Sequence, residues 1–305
     1  MAIWRYDGTF VGFLTLCATL VTQGETPEAI VAGETLQDSL FQPTVRVESD
    51  ECQSEKMLAA IASRLSPESC RLLWRAFLSE AEGVELLLWR YLSFGRTVGA
   101  KCDRYQAHPA VAPVQRLAHT VGHEAHRLMG IVRFQETKGG QWYAAVEPAY
   151  QVLELIAPHF AARYADMQWL IHDRRRYLAV AGNGAEWRLI ELDAQGVPPL
   201  SAAEAEWSAL WRGYFTSIAI PERTNPRLQR RYLPQRLRKY LTEMTLPQPR
   251  VPRQSAPCGE AALDHRLLHT VGDPEVSRRA ETGAGDKKDM VLLSESDKLH
   301  IIGKG

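Results

Sequence analysis

The chain has 305 residues, with 36 lysines and arginines balanced by 36 aspartates and glutamates, so its formal net charge at pH 7 is zero. A neutral chain has no long-range field that would attract a polyanion, so any contact with nucleic acid must come from a local cluster of cations. The hydrophobic fraction of 45% is enough for one large core or two modest ones, which excludes a chain that is disordered throughout.

The cysteines and the apolar N-terminal segment indicate a cytoplasmic protein. Five cysteines are scattered without a C-x-x-C pair, which argues against a disulfide framework and against a thiolate zinc site. The apolar run 10–21 is too short to span a bilayer, and Asp7 precedes it without a clear cleavage site following it. We therefore expect a cytoplasmic protein with no membrane association.

The first half of the chain is predicted to be mainly helical. It opens with a strand over Ala2–Tyr6, a turn at Asp7-Gly8 and a helix capped by Thr9. A short strand is predicted at Thr44–Val47. Helical periodicity is then found over Glu55–Leu65, from Ser66-Pro67-Glu68 to about Ser93, and over Val111–Met129.

The middle of the chain favours strands and turns. A hairpin is predicted from Ile131–Phe134 and Trp142–Val146, joined at Gly139-Gly140. Three more strands are predicted, with a helix at Tyr150–Tyr164 that packs on the sheet: Trp169–His172, Tyr177–Val180 and Trp187–Leu192.

Helices followed by hairpins, rather than alternating βαβ units, predict an α+β fold with a helix-rich N-terminal half, a mostly antiparallel central sheet and C-terminal helices. Residues 1–245 are expected to form a single globular domain. Residues 246–305 are rich in Pro, Gly, Ser, Lys and Asp, which predicts a disordered tail.

The segment Glu206–Glu243 combines an aromatic helix with a block of arginines. Apolar side chains at i, i+3, i+4, i+7, i+8 and i+11 predict a buried docking helix, the positions being Trp207, Leu210, Trp211, Tyr214, Phe215 and Ile218. Asn225-Pro226 is a helix start, and Pro234 predicts a second short helix with Leu237 on its buried side.

The block Pro221–Tyr240 carries seven cations against Glu222 alone: Arg223, Arg227, Arg230, Arg231, Arg236, Arg238 and Lys239. Arginine grips phosphate oxygens through two parallel hydrogen bonds, so this block can bind nucleic acid. Two alternatives stay open. The block can be a solvated face that pairs with carboxylates elsewhere, or it can dock an acidic protein, and the acidic run 48–55 is one internal candidate for pairing with it.

The segment His119–Phe134 holds a second group of residues that can carry chemistry. His119, His123 and His126 fall at i, i+4 and i+7 on a predicted helix, but the H-E-x-x-H order is absent and no metal site is predicted. Glu124 and His126 are candidates for general acid/base catalysis, with Arg127 and Arg133 holding an anion. The alternative is that Glu124 pairs with an arginine one helical turn away and that His126 caps a helix or packs in the protein.

A third group of charged residues lies at a predicted turn. It is Asp173-Arg174-Arg175-Arg176, which is interpreted as either a solvated or a phosphate-facing loop.

The sequence lacks the motifs of other common catalytic and phosphate-binding sites. There is no glycine-rich phosphate loop and no G-x-S-x-G nucleophile elbow, so no cofactor is predicted.

Several motifs together resemble a bacterial family of unknown function whose members are labelled probable DNA metabolism proteins. The resemblance covers about residues 2–244 and rests on YDG at 6–8, FLSE at 77–80, EAHRLMGIVRF at 124–134, APHFAARY at 157–164, WLIHDRRR at 169–176 and LWRGYFTSIAIPERTNPRLQRRYLPQRLRKYLTE at 210–243. Its most specific part is Glu222–Arg236, in which the signature positions include Arg223, Asn225, Gln229, Pro234 and Arg236.

The resemblance implies a DNA context. Similar chains are companions of a radical-SAM protein of DNA repair or modification, and similar domains are fused to uracil-DNA glycosylase-like domains. The leading hypothesis is a nucleic-acid-binding accessory protein with DNA and a radical-SAM enzyme as partners. The rivals are a DNA hydrolase or glycosylase that uses Glu124 and His126, and a protein-protein docking module.

Overall fold

The computed structural model describes residues 2–33, 43–184, 186–193 and 196–244, so the predicted tail 246–305 lies outside the described residues. The nine α-helices of this part are α1 (Phe10–Gln23), α2 (Glu51–Arg64), α3 (Pro67–Phe77), α4 (Val84–Val98), α5 (Ala112–Ile131), α6 (Leu153–Arg163), α7 (Glu204–Ile218), α8 (Pro226–Tyr232) and α9 (Gln235–Arg238). The strands are β1 (Ile3–Tyr6), β2 (Ala29–Ala32), β3 (Thr44–Arg46), β4 (Gln135–Glu136), β5 (Trp142–Val146), β6 (Gln168–Asp173), β7 (Leu178–Asn183) and β8 (Glu186–Glu191). Short 3-10 helices lie at Gly99–Arg104, Pro221–Arg223 and Thr242–Met244.

The fold is mixed α and β, as predicted, but helices occur throughout the described part of the chain, and the strands of that part form two separate sheets. The first sheet has the order β2-β1-β3 and all of its pairs are parallel. Parallel neighbours need a crossover, and α1 supplies it between β1 and β2, so these elements form a βαβ unit. The prediction of one mostly antiparallel sheet is therefore only partly right, since it did not include this parallel sheet, and the four-residue strand β2 was not predicted at all.

The second sheet has the order β4-β5-β6-β7-β8 and is antiparallel except at one pair. Strands β5 and β6 run parallel, with Trp142 opposite Trp169, because α6 returns the chain to the same end of the sheet. The prediction of antiparallel strands is confirmed for the other pairs of this sheet and is wrong for this one.

The beginning of the chain folds as its local signals predict. The Thr9 side chain accepts a hydrogen bond from the Gly12 backbone N–H at 2.9 Å and caps α1. Ser66 caps α3 in the same way by accepting from the Ser69 N–H, and Pro67 occupies the first turn of that helix. These caps satisfy backbone donors that the first turn of a helix leaves free.

Several boundaries differ from prediction, and two of the differences change the elements themselves. The helical run predicted to reach Ser93 is interrupted after Phe77, and Gly83 adopts the left-handed conformation (φ +70°) before α4 begins. The strand predicted at Ile131–Phe134 is wrong, since α5 continues to Ile131 and the strand that pairs with β5 is Gln135–Glu136.

The main core lies where α5 and α6 meet the second sheet. It contains Val121, Leu128, Ile156, Phe160 and Ile171, each at most 2% exposed. Burying a side chain of this size stabilises the fold by about 1.5–3 kcal/mol. The last short helix joins this core through Leu237, which is 2% exposed, and this contact fixes α9 against α5 and the sheet.

Cys17, Cys52, Cys70 and Cys102 are free thiols, as their spacing predicts. Burial raises the pKa of the Cys70 and Cys102 thiols to about 11, so they remain protonated and unreactive at neutral pH. Within the described part of the chain, no helix is both long enough and apolar enough to cross a bilayer.

Candidate nucleic-acid interface

Glu124 lies inside the protein rather than in an open site. It is 3% exposed, and one carboxylate oxygen accepts a hydrogen bond from the Tyr150 backbone N–H at 2.9 Å. The other oxygen pairs with the Arg236 guanidinium at 2.5 Å. This carboxylate therefore ties α5 to the segment before α6 and to α9, which are distant in sequence.

The other cations at the end of the arginine block are also held by partners within the molecule. Lys239 pairs with Glu147 at 2.6 Å, and Arg238 donates to the side-chain carbonyl of Gln229 at 3.2 Å. Burial would raise the pKa of Glu147, but its hydrogen bonds to Lys239 and Tyr240 lower it below the ordinary value. The hypothesis of a block satisfied by internal carboxylates is thus confirmed for Arg236 and Lys239.

The first part of the block is different. The side chains of Arg223, Arg227, Arg230 and Arg231 are exposed, and none makes an ion pair with a carboxylate of the described residues. We call these four residues the arginine cluster. Arg227, Arg230 and Arg231 are spaced i, i+3 and i+4 on α8, so they share one side of that helix.

Two predicted contact residues have structural roles beside the arginine cluster. The Asn225 side chain accepts from the Leu228 N–H at 3.0 Å and caps α8, as the Asn-Pro pair predicts. The side-chain carbonyl of Gln229 accepts from Arg238. These two residues therefore fix the backbone and the end of α8 that carry the exposed arginines.

Arg133 is partly buried and holds the end of the domain together. Its guanidinium pairs with Glu243 at 3.0 Å and lies over the Trp211 ring, 5.4 Å from the ring centroid. Burial would raise the pKa of Glu243, but hydrogen bonds from Trp211 and the charge of Arg133 lower it. Arg127, the other upstream candidate, is half-buried on α5 and makes no ion pair with a described carboxylate.

The aromatic stripe of α7 is helical, as predicted, but the prediction that it is buried is wrong. Trp207 is 63% exposed, Leu210 is 64% exposed and Tyr214 is 56% exposed. Hydrogen bonds at its start and at Trp211 connect α7 to the rest of the protein. At its start the buried Glu204 accepts a hydrogen bond from the Glu136 N–H, and further along the Trp211 indole N–H donates to Glu243 at 2.9 Å. Helical periodicity identifies an apolar face, but it cannot say whether the same chain covers that face.

His126 lies apart from Glu124, in a groove between α3 and α5 with a volume of about 470 Å³. Glu124 points into the protein and His126 is exposed, so the two do not converge on a common open site. The groove is lined by residues of both helices, namely Glu68, Arg71, Leu72, Arg75, Gln115, Ala118, His119, Gly122, His123 and His126. Sequence reasoning missed the α3 side, although 68, 71, 72 and 75 have the spacing of one helical face.

The turn Asp173–Arg176 is largely structural. Arg176 pairs with the buried Asp173 at 2.9 Å and with Glu80 at 2.5 Å, and it also donates to two backbone carbonyls. Arg175 donates to the Ala149 carbonyl at 3.1 Å, while Arg174 is exposed. The turn therefore joins the second sheet to the loop after α3.

Comparison with known proteins gives a family but no activity. No curated protein matches the chain. The model of a family described as a domain of unknown function, DUF4130, matches residues 82–243, which is more than half of the chain. The match includes α5, the second sheet and the arginine block, so the chain belongs to the DUF4130 family of domains of unknown function.

Proposed function

We propose that the protein is a nucleic-acid-binding accessory protein and that the arginine cluster is its phosphate contact. The observation that supports this proposal is a difference in ion pairing among the cations of one block. Arg236 and Lys239 have internal carboxylates, whereas Arg223, Arg227, Arg230 and Arg231 are exposed without one among the described residues.

The local charge supports a polyanion as ligand. Pro221–Tyr232 carries four arginines and one glutamate, so this short segment has a net charge of +3 in a chain that is neutral overall. A guanidinium left in water is stabilised little by distant charges, but it releases a counterion for each phosphate that it contacts. A basic segment on a neutral body therefore favours a local contact with a phosphate backbone over long-range attraction.

The DNA context of this activity is part of the proposal and rests on the resemblance of the motifs to probable DNA metabolism proteins. On the same basis, we propose a radical-SAM enzyme of DNA repair or modification as the partner. The exposed apolar face of α7 supports contact with a protein partner of some kind, because Trp207, Leu210 and Tyr214 offer a large apolar area and precede the arginine cluster in the sequence.

The test compares two variants of equal charge. In the first, Arg223, Arg227, Arg230 and Arg231 are changed together to alanine. In the control, four exposed arginines of α4, α5 and the intervening 3-10 helix are changed to alanine, namely Arg90, Arg96, Arg104 and Arg116.

We expect the first variant to lose affinity for single- and double-stranded DNA and the control to bind as the wild type does. Both variants should melt at the wild-type temperature because the altered side chains are exposed. Equal loss of affinity in the two variants would mean that overall charge, and not this cluster, controls binding.

A protein-docking role for the arginine cluster makes a different prediction. If the cluster contacts an acidic protein and no DNA, Arg227→Glu with Arg231→Glu abolishes binding to that partner and leaves DNA affinity unchanged. If the nucleic-acid proposal is right, the same double change weakens DNA binding more than alanine does, since it adds repulsion from phosphate.

The contacts of Glu124 give less support to the rival hypothesis of a DNA hydrolase or glycosylase. Both of its oxygens are engaged by protein groups, and His126 lies in a separate groove. A general base must be within hydrogen-bond reach of the proton that it removes.

A further inference from the structure

Two of the three exposed histidines of α5 that line the α3–α5 groove have ring nitrogens that lie close together. His119 and His123 are one helical turn apart, and their Nε2 atoms lie 3.0 Å from each other. The ring centroids are 4.2 Å apart with an interplanar angle of 72°, so the rings meet at their edges rather than by stacking. The two Nε2 atoms therefore lie close enough together to contact one common ligand atom.

We propose that His119 and His123 form a chelating site for a late first-row divalent metal ion of the kind that imidazole binds, with Ni²⁺ and Cu²⁺ favoured over Zn²⁺. This proposal is independent of the arginine cluster. Imidazole nitrogen is a preferred ligand of these ions, and i, i+4 spacing on a helix brings two of them to the same side.

The distance between the two Nε2 atoms can be compared with the distance between two nitrogen ligands of one metal ion. Metal–nitrogen bonds of about 2.05 Å place two ligands about 2.9 Å apart at a right angle and about 3.3 Å apart at the tetrahedral angle. The observed 3.0 Å lies between these two values, so one metal ion can reach both nitrogens. Tetragonal sites with nitrogen and oxygen ligands are typical of Cu²⁺ and Ni²⁺, and nitrogen sites bind Cu²⁺ more tightly than Zn²⁺, so the preference for these ions follows from the ligand type.

In the metal-free protein the two imidazole rings already lie close together. At 3.0 Å the two Nε2 atoms are within hydrogen-bond distance, and the tautomer of each ring decides which of them donates. When a metal ion binds, the proton on the donating Nε2 moves to the Nδ1 atom of the same ring, so that both Nε2 lone pairs become available to the ion. A pre-arranged pair avoids most of the side-chain ordering that binding would otherwise require.

The protein supplies two ligands and leaves the other positions open. Within the described part of the chain, no three His, Cys, Asp or Glu side chains converge as a metal site. Glu68, across the groove, is paired with Arg71 at 2.5 Å. Water or the donor atoms of a small anion would complete the coordination, and Arg75, which lines the same groove, would attract such an anion.

Calorimetric titration of the full chain with Ni²⁺ alone and with Zn²⁺ alone tests the site. We expect Ni²⁺ to bind more tightly than Zn²⁺. His119→Ala and His123→Ala should each weaken Ni²⁺ binding by at least about tenfold, since even the outer partners of metal ligands are worth 10- to 100-fold. His126→Ala is the matched control, because it removes an exposed imidazole of the same groove, and its affinity should stay within about twofold of wild type.

The double variant His119→Ala/His123→Ala measures the background, which matters because His265 and His269 are also four residues apart in the sequence. NMR gives a second readout: paramagnetic Ni²⁺ should broaden the His119 and His123 ring signals before the other histidine signals. Wild-type chain that binds neither ion, a double variant that binds as the wild type does, or an equal loss in His126→Ala would overturn the proposal.

Discussion

The ion pair between Glu124 and Arg236 links the candidate catalytic residue to the arginine block, and its removal gives a prediction that separates a structural role from a catalytic one. Glu124 is 3% exposed, while the Arg236 side chain is 38% exposed, so the carboxylate is buried and its partner is half in water. Glu124→Gln keeps an oxygen that can accept from the Tyr150 N–H, but it removes the charge that faces Arg236.

The expected loss of stability can be bounded from these contacts. Removing one partner of a fully buried ion pair costs about 3–5 kcal/mol, because the remaining charge is left without compensation. Water can still solvate the exposed part of Arg236, and the Tyr150 hydrogen bond is retained, so we expect Glu124→Gln to lower the free energy of unfolding by about 2 kcal/mol.

Urea denaturation of the wild type, Glu124→Gln, Arg236→Gln and the double variant measures this effect. The two changes should be non-additive by about 1–2 kcal/mol, since they remove the same interaction. Glu68→Gln is the control, because its pair with Arg71 is exposed at the carboxylate and should be worth at most about 0.5 kcal/mol. If each single variant lowered the free energy of unfolding by less than about 0.5 kcal/mol and the two effects were additive, the structural role would be refuted. If Glu124→Gln kept full stability and lost a DNA-processing activity, the general acid/base hypothesis would be favoured.

Three further predictions concern stability. Gly95→Ala should destabilise the domain by about 1–2 kcal/mol, because a Cβ at this position would lie 2.6 Å from Leu65 Cδ2. Gly122→Ala in α5 should instead stabilise it by about 0.5–1 kcal/mol, because the nearest atom to its Cβ would be 3.8 Å away. Thermal melting of both variants checks these two predictions. Burial raises the pKa of Glu154 to about 7, so the folded state binds this proton more tightly than the unfolded state and loses stability as the pH rises from about 4.5 to 7. In urea titrations, Glu154→Gln should therefore be more stable than the wild type by roughly 1–3 kcal/mol at pH 8 and equally stable at pH 4. Equal unfolding curves of variant and wild type at both pH values would contradict this. Thr9→Ala should cost about 1 kcal/mol through the lost cap of α1, measured as a lower denaturation midpoint, and Thr9→Ser should restore most of it.

Local signals in the sequence were sufficient to predict many of the elements. Thr9, Ser66 and Asn225 start helices because their side chains accept backbone hydrogen bonds within three residues, so the signal and its structural effect lie together. The parallel pairs of β1 and of β5 with β6 depend on crossovers through α1 and α6, and no local pattern encodes which strands become neighbours.

The candidate site was predictable only in part, for a related reason. The run of arginines is visible in the sequence, but its division into paired and unpaired members depends on partners such as Glu124, which is 112 residues from Arg236. The α7 stripe shows the same limit, because periodicity predicted a buried face and the described part of the chain leaves it open to solvent. Pairing and burial are tertiary properties, and spacing within one segment does not determine them.

The salt dependence of DNA binding tests the central claim most directly. Each phosphate contacted on duplex DNA contributes about −0.9 to the slope of log affinity against log salt concentration, so contacts by all four residues of the arginine cluster give a slope of roughly −3.6. We predict that slope for the wild type and for the Arg90/Arg96/Arg104/Arg116 control, and a slope near zero when Arg223, Arg227, Arg230 and Arg231 are alanine. A wild-type slope near zero, or a slope that the loss of the arginine cluster leaves unchanged, would contradict the account.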